Sequence, residues 1–140
     1  MLLKEFVSET NKNQMMSELF KYYGVENTKM KYKSMKDHAH YVVEDGVLLL
    51  SKRYKTLKPS QIKNFLITMI HEIDHAMMAK KYGWKKFREM WEMDANKITQ
   101  GFYKGKSEPY AHNKYELKAE AFGQKNWKKW YNKFKKQNLI

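Results

Sequence analysis

A chain of 140 residues and 17.0 kDa has room for one domain around one core, and with 42% apolar and 15% aromatic residues it can build that core. It contains no cysteine, which excludes disulfide staples, thiolate metal sites and a cysteine nucleophile together, so any metal must be held by His, Asp or Glu. Its net charge of +13 comes from 26 lysines and only two arginines, Arg53 and Arg88, a split that argues against sequence-specific DNA reading because guanine is read by the arginine fork. The N-terminal MLLKEFVSET is too short an apolar run for a signal peptide, and no stretch of about 18 apolar residues follows, so a cytoplasmic protein without a membrane span is expected.

In chain order, NKNQMMSELFKYY places Met15, Met16, Leu19, Phe20 and Tyr23 at helical spacing before the stop at Gly24, which predicts an amphipathic helix over 11–23. TKMKYKSM alternates with period two, HYVVED is β-branched, and GVLLLSKRY follows the turn pair Asp45-Gly46, which together predict a small antiparallel sheet over about 28–54. Pro59 and Ser60 open a long helix in which Ile62, Phe65, Leu66, Met69, Ile70, Ile73, Ala76 and Met77 share one face until Gly83. A third helix is expected from Trp84 to about Phe102. After the loop GKSEPYAHN a fourth begins near Asn113, with Tyr115, Ala119, Phe122, Trp130 and Phe134 inward. The fold class is therefore α+β, a short antiparallel sheet on a central helix followed by further helices. The parts of the one domain are a helix and sheet over 1–58, the central helix over 59–83 and C-terminal helices over 84–140. There is no glycine-rich phosphate loop and no Gly-x-Ser-x-Gly elbow.

The chemistry is concentrated in ITMIHEIDHAMM, residues 67–78. His71 and His75 are four apart and so lie one turn apart on one helix face, where both imidazoles can reach a single ion. Glu72, displaced by about 100° around the helix, can take a proton from a water held at that ion, the arrangement of a His-Glu-x-x-His zinc hydrolase. Burying two imidazoles and two carboxylates in an apolar helix without partners would cost several kcal/mol, about 2 or more for each group. A metal relieves that cost; an exposed face carrying Asn64, Thr68 and Lys80 would avoid it. A zinc site needs a third protein ligand, and downstream the candidates are Glu116 and Glu120, at i, i+4 in YELKAEAFG, and His112 in the preceding loop. His38 and His40 read as surface residues.

HEIDHA followed by YELKAEAFG resembles the short gluzincin metallopeptidases, which include the lethal factor-like and Pro-Pro endopeptidase-like domains and, more distantly, the ImmA/IrrE peptidases. The resemblance covers roughly residues 59–124. It implies a zincin-like domain with Zn2+ held by His71, His75 and Glu116, Glu72 as general base, and Glu120 orienting a ligating histidine. Two positions depart from the pattern: Asp74 stands where many relatives have glycine, and Pro109 where a tyrosine is often found, with Tyr110 adjacent. The expected oxyanion donor is therefore Tyr110, ahead of His112 and Tyr103. The implied activity is hydrolysis of a protein or peptide substrate, added as a strand to the sheet edge formed by GVLLLSKRY. The SprT-like peptidases are the rival relatives, but KKYGWKKF offers no histidine and there is no cysteine for a zinc ribbon. A catalytically silent metal-binding regulator acting on nucleic acid or a protein through the basic C-terminal helix is the other class. Lys125, Lys128, Lys129, Lys133, Lys135 and Lys136 are read as a solvated face with at most weak, nonspecific nucleic-acid binding. The lysine- and asparagine-rich make-up fits a small protein of a phage or mobile element in an AT-rich bacterium.

Overall fold

A computed structural model of the chain describes residues 6–140. Helix α1 spans Glu9–Tyr22, and its first turn is fixed by Ser8, whose hydroxyl accepts from the Asn11 amide at 3.1 Å. Three strands follow, β1 (Lys29–Lys33), β2 (Ala39–Val42) and β3 (Val47–Ser51), then α2 (Ile62–Tyr82), α3 (Trp84–Thr99) and α4 (Lys114–Lys136). Gly83, at φ +83°, makes the sharp break between α2 and α3 that a side-chain-bearing residue would resist. The fold is α+β, and among the described residues no helix is long and apolar enough to cross a membrane.

The sheet corrects the expectation of an all-antiparallel arrangement. Its order is β1-β3-β2, with β1 parallel and β2 antiparallel to β3. The chain alternates direction as a meander would, but residues 34–38 carry it past the place where β3 later inserts. Only the second connection, with Gly46 at φ +63°, is a tight turn. The VLLL run is therefore the central strand, paired on both sides, and the edge expected from GVLLLSKRY does not exist. This placement follows from burial: an apolar run suits the middle of a sheet, while Lys29, Lys31 and Lys33 suit a solvated edge. The free edge beside the central helix is β2.

The apolar faces of all these elements meet in one core. Met15, Leu19, Leu48, Leu50, Phe65, Leu66, Met69, Ile70 and Ile73 are wholly buried in it. Lys12 is buried as well, and its ammonium is matched by the carbonyls of Tyr54 at 3.2 Å and Lys55 at 2.8 Å and by Glu9 at 2.8 Å. Helix α4 lies close along α2 because Ala119 and Gly123 present almost no side chain there. A Cβ added at Gly123 would stand 2.7 Å from the Ile67 carbonyl oxygen. That close approach sets the reach of every side chain on the facing surface of α4.

Candidate metal centre

The motif residues of α2 do not lie on a wet face. Glu72, Asp74 and His75 are buried, at 5%, 3% and 6% exposure, and only His71 is partly open. What faces them is the N-terminal end of α4, and that end is anchored to α3. Asn113 caps α4 by accepting from the Tyr115 amide at 3.0 Å, and its own amide group donates to the Trp91 carbonyl at 3.0 Å. The buried Asp94 accepts from the Lys114 amide at 2.8 Å. Glu116, in the first turn so fixed, is carried onto the histidines.

Its Oε1 lies 2.9 Å from His71 Nε2 and 3.1 Å from His75 Nε2, while Oε2 accepts from the Trp91 indole N–H at 2.8 Å. One turn further along α4, Glu120 Oε2 is 3.0 Å from His71 Nδ1 and is steadied on its other oxygen by Gln124 at 3.0 Å. Glu72 turns the other way. Its Oε2 accepts the main-chain N–H of Tyr41, on the free edge of β2, at 2.9 Å, and its Oε1 remains 3.9 Å from His71 Nε2. Asp74, where a glycine was the pattern, bonds Lys118 at 2.7 Å and ties α2 to α4.

This geometry separates the two carboxylates electrostatically. Burial alone would raise Glu116, but the hydrogen bonds from His71, His75 and Trp91 outweigh it and hold the group far below the usual carboxylate range. For Glu72 burial wins over the two histidines, and its pKa is raised. Burial also opposes charge on His71, yet the bond to Glu116, the charge of Glu72 and the bond to Glu120 push it up to about 9. Tyr110, a half-exposed residue, is raised by burial and by the charges of Glu116 and Glu72.

The donor set fits a divalent ion. Ligand atoms of His71, Glu72 and His75 fall within 4.8 Å of one another, and Glu116 bridges both Nε2 atoms. Bonds of about 2.0–2.1 Å in a tetrahedron put ligand atoms about 3.3 Å apart, close to the 2.9 and 3.1 Å observed between Glu116 and the two histidines. Glu116 touches both histidines, whereas one oxygen of Glu72 is taken by the Tyr41 amide. Among the described residues no Lys or Arg bonds Glu72 or Glu116, and the cationic partners they have there are the histidines. The support of the two histidines is unequal: His75 Nδ1 is buried without a partner among the described residues, and its ring packs 5.8 Å from the Phe87 centroid.

Around the centre runs a cleft in two lobes, of about 400 Å³ between β2 and α3 and about 380 Å³ on the side of Glu120, meeting at Glu72 and Tyr110. Tyr110 thus stands over the centre, with Trp91 5.9 Å from its ring. His112, the other expected donor, lines neither lobe. Its Nδ1 accepts the amides of Ser107 at 3.1 Å and Glu108 at 3.0 Å, so it shapes the loop that presents Tyr110. His38 and His40 are exposed as expected, and each lines one lobe.

Trp91, Arg88 and the Tyr41 amide were not anticipated. Trp91 had a signal, since Phe87, Trp91, Asp94 and Ile98 fall at 4-, 3- and 4-residue steps along the inward face of α3. The Tyr41 amide had none, because strand pairing decides which main-chain donors are free. The chain matches no protein-family model, no curated protein and no solved structure.

Proposed function

We propose that the protein is a zinc-dependent endopeptidase of the gluzincin type, with His71, His75 and Glu116 as ligands. The observation that carries the reading is the convergence of one Glu116 oxygen on both histidine Nε2 atoms, with a second, proton-accepting carboxylate beside it at the meeting point of two lobes. A bound zinc ion supplies a water of lowered pKa and polarises the scissile carbonyl. The residues do the rest. Glu72 is held through Oε2 by the Tyr41 amide, which leaves Oε1 to take the proton of the attacking water and pass it to the leaving amine. Its raised pKa favours that exchange near neutrality. Tyr110, kept protonated by its neighbours, donates to the carbonyl oxygen as charge develops there. Glu120 orients His71. The substrate strand lies along the outer edge of β2, beside the Tyr41 amide, and not along β3.

Glu72→Gln preserves size and removes the base. In a peptide-library digest the wild type should cut and the variant should be slower by about 10³-fold or more, because it loses both the proton acceptor and the step it serves. The variant should still bind zinc. Undiminished cutting by Glu72→Gln would remove Glu72 from the mechanism, and zinc binding without any cutting by the wild type would leave a silent metal-binding module.

A further inference from the structure

The cleft inverts the charge of the rest of the molecule. Among the described residues six of the 15 acidic residues of the chain line it, Asp37, Glu44, Glu72, Glu92, Glu116 and Glu120, and the one permanent cation there, Arg88, is paired with Glu44. Among the described residues no lysine lines either lobe, although the chain holds 26. Four of the six acids are engaged by the centre, by Tyr41 or by Arg88. Asp37 and Glu92 are not: both are exposed, neither has an ion-pair or side-chain hydrogen-bond partner among the described residues, and they stand in opposite lobes. The cleft has more than these acids to mark it, since both histidines line it, His75 with its Nδ1 buried and unpartnered among the described residues, and it borders the free edge of β2.

We infer that the cleft selects extended peptide segments that carry positive charge on both sides of the centre, with Asp37 and Glu92 as the specificity-determining carboxylates. The inference rests on the peptidase reading for what happens to the bound segment, and not for the charge preference. A divalent ion would offset two of the negative charges and leave the cleft acidic. The overall charge of +13 repels a cationic peptide, but at about 0.15 M salt the Debye length is about 8 Å, so charges beyond the cleft are screened and the local carboxylates decide. A low-dielectric cleft of one sign concentrates counter-charged ligands, while a basic exterior disfavours them elsewhere on the surface.

The test is fluorescence anisotropy with three labelled extended peptides of one Gly/Ala framework, bearing lysine, glutamine or glutamate on both sides of the centre, and Glu72→Gln protein so that nothing is cut. The lysine peptide should bind at least tenfold more tightly than the glutamine peptide, and the preference should vanish at 0.5 M salt and in a variant further carrying Asp37→Lys and Glu92→Lys. Both positions are exposed, and an unchanged circular dichroism melt keeps the comparison fair. Equal or tighter binding of the glutamine or glutamate peptide, no binding at all, or a preference unmoved by the charge reversals overturns the inference. Digestion of the same peptides by the wild type separates the two readings. Preferred binding without cutting overturns the peptidase reading alone, and cutting without preference overturns the charge selection alone.

Discussion

Glu72 and Glu116 are chemically the same side chain driven in opposite directions. Glu116 is stabilised as an anion by three donors, whereas Glu72 is buried with one main-chain donor and kept ready to protonate. Two titratable groups whose surroundings push them apart suit the proposed roles of ligand and base. Tyr110 completes the set, and Tyr110→Phe should lower kcat about 10²-fold with little change in KM, since its bond matters only as charge develops on the oxygen; an unchanged kcat would return the oxyanion to another donor. Without metal, His71 leaves a pH signature. Its folded pKa of about 9 lies above the ordinary 6.5, so the stability it contributes is complete below about pH 6.5 and is lost as pH rises through about 9. Thermal melts of chelator-treated protein should therefore fall between pH 6.5 and 9, by an amount that His71→Ala reduces, and a flat profile would refute the pairing. At this scale the sequence was legible where spacing on one helix fixed geometry, as for His71, Glu72 and His75. It was not legible for His112, whose bonds to Ser107 and Glu108 depend on the path of a loop.

The elements matter through the distance between α2 and α4. Ile67 leaves no room for a side chain at Gly123, so Gly123→Val must push α4 outward or distort it, and overpacking of this kind costs about 1–3 kcal/mol. The variant should melt lower and bind zinc more weakly, because Glu116 and Glu120 ride on the displaced helix; a lower melt with zinc affinity intact would show that the centre does not depend on that spacing. The four helices were readable from their 3.6-residue patterns and their glycine stops, within a few residues at each end. The strand order was not. Alternation in TKMKYKSM and the Asp45-Gly46 turn specify strands and one hairpin, but the insertion of β3 between the other two is a long-range choice made by burial of the VLLL run. The same choice moved the free edge from β3 to β2 and brought the Tyr41 amide to Glu72.

The molecule as a whole carries two opposed electrostatic regions, a lysine-covered exterior and an acidic cleft. On α4 the lysines partly lie on aromatic rings, Lys133 4.9 Å and Lys129 5.7 Å from the Trp130 centroid, which suits a solvated face. Replacing Lys128, Lys129, Lys133, Lys135 and Lys136 by glutamine should leave peptide cleavage unchanged and remove only weak, sequence-insensitive DNA binding at about 150 mM salt. A mid-nanomolar, lysine-dependent DNA affinity would contradict that. Composition made the basic exterior plain, while the acidic cleft was hidden because its carboxylates come from positions as distant as Asp37 and Glu120. The central claim is the metal centre, and elemental analysis of protein purified without chelator tests it most directly. One equivalent of zinc in the wild type is predicted, lost in His71→Ala, His75→Ala and Glu116→Ala, retained in His112→Ala, and weakened about 10- to 100-fold in Glu120→Ala. Wild-type protein that carries no metal and takes up none on titration would contradict the account.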